Sequence, residues 1–498
     1  MSKALKNKIK MEYDAVKNTT ARRRPVIEYK NEDQILDSQK RALIANFCRD
    51  LERNYSPAKG ILQQFRMNVV GDLGKIQVNI EGGEEAASFF NQEWAKNCDF
   101  RDDIHFSQIL QNVVAGVLRE GDLLVVVDDG LIEDSGKLLH WEADQIVNVS
   151  DEIFERKIKK ELGGGAAVQE NGIVRDKWGR VLGYIVTGKR GLRVVDKEED
   201  VTVWKRENAR LIKNPWRLNQ GRGVPALITS ATNFLDLYEI LTAELLSAKR
   251  QAVIAGYTKR SNAVTDWDNP TTGASALPEN TGKNETTIAN EIAGGGTAPN
   301  YERFEALTGG IWEYVDAQDE IVFPDLKRPS VQIATFIESV LCYAGASLGL
   351  AKAYSLLRAD SSYTAFRGDM IMSWQSAFYP MQKWLERCYC DWVAVKVLTW
   401  AQNKRIISKL PAGWEKTISW KFPIMPHVDE AREAQAITEA LKTGTIDYSE
   451  IMGPDWQKKF EALSKQLEKA KELGLPLNIF ETKSGGVMSI GGDNNATG

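Results

Sequence analysis

The stretch "GASLG", residues 345 to 349, fits the Gly-x-Ser-x-Gly pattern that lifts a nucleophilic serine onto a sharp turn in α/β-hydrolases. Ser347 would be the nucleophile. Asp391 and His427 follow it in the order serine, acid, histidine, so a serine hydrolase is one reading of the chain. That reading demands a buried strand before the serine. The preceding "IATFIESVLCYA" repeats its apolar groups at helical spacing instead, which predicts a helix closed by a glycine cap.

Other chemistry finds less support. "GLIEDSGKL", residues 130 to 138, places five residues between its glycines and Leu138 after the lysine, so it fits no phosphate-cradling loop. His105, His140 and His427 are far apart and lack partners at metal-ligand spacing. Cysteines at 48, 98, 342, 388 and 390 are odd in number and suggest neither a disulfide framework nor a zinc site. No metal and no cofactor is expected, and a reducing compartment fits best.

The elements that would position these groups form an α+β pattern. Residues 33 to 66 read as helical, and 68 to 228 as mainly strands, with "DLLVVVDDG", "HWEADQIVNVS", "RVLGYIVTG" and "VTVWKRENARLI" between turn residues. Residues 229 to 256 predict a long helix. Residues 257 to 300 are polar and rich in Gly, Thr and Asn, which predicts irregular structure, and "IWEYV" and "EIVFP" then predict short strands. A second helix follows at about 329 to 344.

Tyr363, Phe366, Met370, Trp374, Ala377, Met381, Trp384, Cys388 and Trp392 recur at three or four residues, the stripe of a further long helix. Asp360, Ser361 and Ser362 are its candidate caps, and Pro380 predicts a kink in its middle. "TISWKFP" predicts a strand that rejoins the β-rich region. "DEAREAQAITEALKTG" and "DWQKKFEALSKQLEKAKELGL" predict a helical end, then a glycine-rich tail.

Over 498 residues, 43% are hydrophobic and 27% charged, ordinary for a globular protein with a large interior. The formal charge of −4 argues against a protein that coats nucleic acid, because such affinity comes from Lys and Arg neutralising phosphates. No signal peptide or membrane span is read, so a soluble chain made in a cytoplasm is expected. Arg22, Arg23 and Arg24 end a basic start that reads as a solvated arm, with DNA contact as its other use.

The order of the elements carries a resemblance. "CRDLERNYSPAKGILQQFRMNVVG", "NGIVRDKWGRVLGYIV" and "NQGRGVPALITS" resemble, in that order, an N-terminal segment, an Asp-x-x-Gly-Arg hairpin and a Gln-x-Arg-Gly-Val-Pro lead into a long helix. "TGGIWEYVDAQDEIVFPDLKRPSVQIATFIESVLCYAGASLGL" is similar to a strand pair and a helix ending in a Gly-Leu-Gly-like turn. "DSSYTAFRGDMIMSWQ" resembles a Tyr-Ser-Ser-x-Arg helix with Tyr and Ser permuted, and "GPDWQKKFEALSKQLEKAKELGL" resembles a C-terminal helix. The family in which these occur together is the lambda-type phage portal proteins.

The resemblance implies a ring-forming portal fold, a dodecamer with wing, stem, clip and crown. It would place an N-terminal arm and helix at 1–45, the wing at 46–228, stem helices at 229–256 and 329–349, and a clip at 257–328. A tunnel loop would span 350–361, a kinked tunnel helix 362–398, a returning wing strand 399–428, a helical crown 429–475 and a tail 476–498. Lys352, Tyr354, Ser355, Leu356, Leu357, Arg358 and Asp360 of the loop would face the channel, together with Tyr363, Arg367 and Pro380 of the tunnel helix. For Lys352 and Arg358 the alternative is a solvated charge or a partner of Asp360. The implied partners are further copies of the chain, double-stranded DNA held without sequence preference, the terminase large subunit, a head-completion or adaptor protein, and the major capsid and scaffold proteins. The implied place is a capsid vertex of the virion, with assembly in the host cytoplasm. Beside the serine hydrolase, another virion ring or connector protein is the remaining alternative.

Overall fold

The computed structural model describes residues 31–253, 257–260, 319–322, 331–359, 362–426, 430–445, 448 and 456–473, apart from 73, 131, 164–165 and 193. The basic arm, most of the expected clip with "IWEYV", Asp360, Ser361, His427 and the tail lie outside these residues. The chain divides at Ile424 into two units.

A single helical turn, Glu32–Ile35, opens the described part of the first unit, followed by helices Ser38–Asn54 and Ser56–Phe65. Asp37 caps the former by accepting the Lys40 amide at 2.9 Å, and Pro57 sits in the first turn of the latter, where its missing N–H costs nothing. The stretch 68–228, whose strands suggest a β-rich or α+β domain, contains helices as well as strands. Helix Phe106–Glu120 crosses it, with Ile109, Leu110, Val113, Val114 and Val117 all buried. It ends at Gly121, whose φ of +92° and contact with the Val224 and Pro225 backbone leave no room for a Cβ.

Thirteen strands are described: β1 (Gln77–Ile80), β2 (Asp122–Val127), β3 (Leu138–Glu142), β4 (Asn148–Val149), β5 (Val168–Glu170), β6 (Ile173–Arg175), β7 (Val181–Thr187), β8 (Val194–Val195), β9 (Val201–Lys205), β10 (Ala209–Lys213), β11 (Tyr257–Arg260), β12 (Asp319–Val322) and β13 (Ile418–Lys421). The order β10-β2-β3 makes β2 central, which is why "DLLVVV" is buried at every residue instead of alternating. A second sheet runs β5-β6-β7-β9. The two share a core of Leu124, Val126, Ile173, Tyr184, Val186 and Trp204. β13 returns across more than 300 residues to pair with β1, as "TISWKFP" predicts. β11 pairs with β12, so residues 257–260 are a strand where irregular chain is expected.

One buried cation ties these pieces together. Arg222, in the "NQGRGVPALITS" stretch, is 1% exposed and uses all five of its N–H donors. Two go to Asp122 at 2.6 and 2.8 Å, and the others to the carbonyls of Ala143, Ile146 and Asn171. Removing one partner of such a pair strands a buried charge, at a cost of about 3–5 kcal/mol. Next to it, Asp33 accepts the amides of Gly221 and Arg222 and pairs with Arg41 at 2.9 Å. The first helical turn of the described chain is thereby fixed to the lead into helix Ala231–Val253.

The second unit contains helices Glu430–Lys442 and Trp456–Glu472. Tyr448, Trp456 and Phe460 form an aromatic trio with ring centres 5.0–6.0 Å apart.

Candidate functional site

Helix Val331–Ala346 runs into the presumed elbow and decides its meaning. Its end is a left-handed turn, with Gly349 at φ +77° and the Leu350 amide donating back to Gly345 O at 3.0 Å. Ser347 Oγ donates to Ala344 O at 2.9 Å and lies 2.5 Å from Ser230 Oγ, which bonds the same carbonyl. Asp391 is engaged elsewhere, accepting the Trp420 indole at 2.9 Å. A serine on a helix-ending turn lacks the strand-borne strain that exposes a nucleophile, so the hydrolase reading is set aside.

The loop expected at 350–361 contains a helical turn, Lys352–Leu356, closed by Leu357 at φ +51°. Gly345 permits this turn to lie against the preceding helix, since a Cβ there would stand 1.8 Å from Ser355 Oγ. Leu357 closes over Gly60, where a Cβ would come within 2.7 Å of it. The segment is therefore docked on both sides.

Its other anchor is the long helical run that begins at Tyr363, capped by Ser362, which accepts the Ala365 amide at 3.4 Å. Asp369 accepts the Ala353 amide at 3.0 Å, Ser373 Oγ accepts the Ala351 amide at 2.9 Å, and Ser376 Oγ donates to Gly349 O at 2.6 Å. Sequence reasoning missed these three residues. Their spacing, i, i+4 and i+7, was the available signal: a polar stripe on an otherwise apolar helix.

Pro380 lies where the run changes its hydrogen bonding. Helix Tyr363–Ser373 passes into a π turn, Trp374–Phe378, and then into helix Tyr379–Leu385. The proline has no N–H for Ser376 O four residues back, and a π turn is the local adjustment that accommodates the loss. A second π turn, Glu386–Cys390, precedes helix Asp391–Asn403. Phe378 packs on Tyr354 and Phe65 with ring centres 5.1 and 5.4 Å away.

The expected channel-facing residues thus divide. Ser355 is buried and Tyr354 half-buried, whereas Lys352, Leu357 and Arg358 are more than half exposed. Lys352 and Arg358 both pair with Glu338 of the preceding helix, at 3.4 and 3.0 Å. Tyr363 is exposed at the helix start, and Arg367 is exposed one turn further on.

The glycine-bearing loop 130–138 is likewise filled from within. Asp128, 1% exposed, accepts the amides of Ile132, Glu133 and Ser135 and the Ser135 hydroxyl at 2.8–3.1 Å. Burial pushes this carboxyl up, but the amides and the hydroxyl outweigh it and hold its pKa below the usual aspartate value. The amides that a phosphate would need are spent on the chain's own carboxylate.

Glu120, Glu142 and Asp144 come close enough to suggest a cation site. Arg49 occupies it, bonding all three at 2.9–3.1 Å, with Arg190 behind. Among the described residues, no helix is long and apolar enough to cross a membrane.

The family model for phage portal proteins of the lambda family matches residues 20–378. A probable portal protein of Halomonas phage phiHAP-1 is 21% identical over 464 residues, covering 86% of this chain and 80% of that one. Among solved structures, the neck of an empty gene transfer agent particle is similar at a TM-score of 0.47 and 10% identity, over 86% of this chain and 94% of that one. An HK97-family phage portal protein from Corynebacterium diphtheriae gives a TM-score of 0.35 at 10% identity, over 73% and 91%. The family match spans the buried clamp and the docked turn and stops at Phe378, two residues before Pro380, and it defines a portal protein. Within that class, the chain belongs to the lambda family of phage portal proteins.

Proposed function

We propose that the chain closes into a dodecameric ring at one capsid vertex, through which duplex DNA is packaged and ejected, and that its role is structural and not catalytic. Helices 231–253 and 331–346 would be the stem, and 350–361 the tunnel loop. The observation that carries this reading is an uncovered apolar stripe on the first of these helices. Tyr238, Leu241 and Leu245, at i, i+3 and i+7, are 54%, 45% and 56% exposed. Tyr238 meets the Tyr55 ring edge-on at 5.3 Å, yet about half of each of the three side chains stays in water in a lone subunit. A neighbouring copy would cover them, at about 1 kcal/mol per half-exposed side chain.

The tunnel segment suits loose contact with DNA. Lys352 and Arg358 share one carboxylate, so their pull on phosphates is muted, and a grip that opposed translocation is avoided. The terminase large subunit, an adaptor or head-completion protein, and the capsid and scaffold proteins are the partners such a ring would meet, in a virion assembled in the host cytoplasm. The test is the double variant Leu241→Asp, Leu245→Asp, followed by sedimentation. Rings should give way to folded subunits with unchanged circular dichroism; intact rings would remove this stripe from the interface.

A further inference from the structure

Cations gather where the two larger sheets meet, and two of them, Arg175 and Arg206, form no ion pair among the described residues. Tyr184 of β7 pairs with Ile173 of β6 on one side and Trp204 of β9 on the other, and all three belong to the core shared with the β10-β2-β3 sheet. Arg175 and Arg206 lie two residues beyond Ile173 and Trp204, at the rim of that core. From the opposite sheet comes Lys213, whose Nζ donates to the carbonyls of Gln220 and Gly221. The Arg175 guanidinium also lies against Gly221, on the side where the Asp33 carboxylate accepts the Gly221 amide.

Electrostatics confirm the convergence. Burial raises the pKa of the Tyr184 hydroxyl, and the Leu211 amide and then Arg206, Arg210 and Arg175 oppose that rise. Burial lowers Lys213 and repulsion from Arg175 lowers it further, against the opposing pull of Asp122 and Asp33. Among the described residues, Arg175 and Arg206 have no carboxylate at ion-pair distance, Arg175 Nη1 donates to Gly179 O at 3.2 Å, and Arg210 acts on Asp391. Two buried donors here also lack an acceptor, Arg175 Nε and Trp204 Nε1, and the Trp204 side chain is 7% exposed. Natural proteins seldom leave buried N–H groups unpaired, so an acceptor from outside is the expected complement.

We propose that this rim docks a carboxylate-bearing segment of a partner protein, with an acidic side chain entering the seam to meet these donors. The adjoining loop supplies apolar anchors: Trp216 is 70% exposed, Leu218 is fully exposed, and the Gln220 side chain holds the Trp216 amide. Exposed Trp beside Arg is the composition of a protein-binding hot spot. A flexible Glu or Asp reaches into a seam, whereas phosphates on a rigid duplex stay outside it. This assignment stands independently of the ring.

The test uses the full-length protein and a fluorescein-labelled peptide of alternating Glu and Leu, read by anisotropy at low salt. Arg206 is exposed, so R206E should fold and should weaken binding by about tenfold or more, the scale of a charge-assisted contact. W216A should also weaken it, and K409Q, a cation elsewhere on the surface, should not. Failure of the wild type to bind the peptide, or equal binding by R206E, would overturn the proposal. A short DNA duplex is titrated in parallel. Duplex binding lost in R206E while peptide binding persists would assign the rim to nucleic acid and overturn it equally.

Discussion

Asp128 organises its loop with one carboxylate, and its charge state makes the contribution measurable. Its folded pKa is depressed, so the stabilisation is present above the unfolded value and is lost as pH falls through the folded one. Asp128→Asn should therefore unfold at lower temperature at neutral pH, by the equivalent of about 2 kcal/mol for bonds to a charged acceptor. In increasing acid the gap between variant and wild type should close. A gap of constant size across the titration would show that the charge adds nothing beyond the shape of the side chain.

At the scale of elements, the bent helix invites the next test. Pro380→Ala returns an amide to Ser376 O and should convert the π turn at Trp374–Phe378 to α-helix. That change of register would pull Ser376 away from Gly349 and loosen the docked turn. Amide hydrogen exchange over residues 350–358 should accelerate; unchanged exchange would make the proline a passenger. Long periodic elements were legible in the sequence, as with the 363–392 stripe, the 229–256 helix and the returning strand at 418–421. Helix 106–120 was not read, although Gln108, Gln111, Asn112 and Arg119 mark a polar face at helical spacing; its β-branched middle, Val113, Val114 and Val117, favours strand among the neighbouring strand-rich stretches. His105 caps it through Nδ1 to the Ser107 amide, an N-cap outside the usual set. The docked turn was equally hidden. "LAKAYSLLRADS" looks like loop, and its bonds go to Asp369, Ser373 and Ser376, which lie beyond it in the chain. "QGRGVP" was visible as a motif, but not that Arg222 finds Asp122 a hundred residues earlier.

For the whole molecule, the central claim is closure into a ring around DNA. A net charge of −4 and cations already shared with Glu338 fit a bore that guides a duplex without holding it. On the proposed reading, the exposed stripe at Tyr238, Leu241 and Leu245 would supply the contact between copies. Negative-stain imaging of the purified full-length protein is the most direct measurement. The account predicts closed, dodecameric rings with a central hole wide enough for a duplex. Particles that remain single subunits at every protein concentration, or that assemble without a central hole, would contradict it.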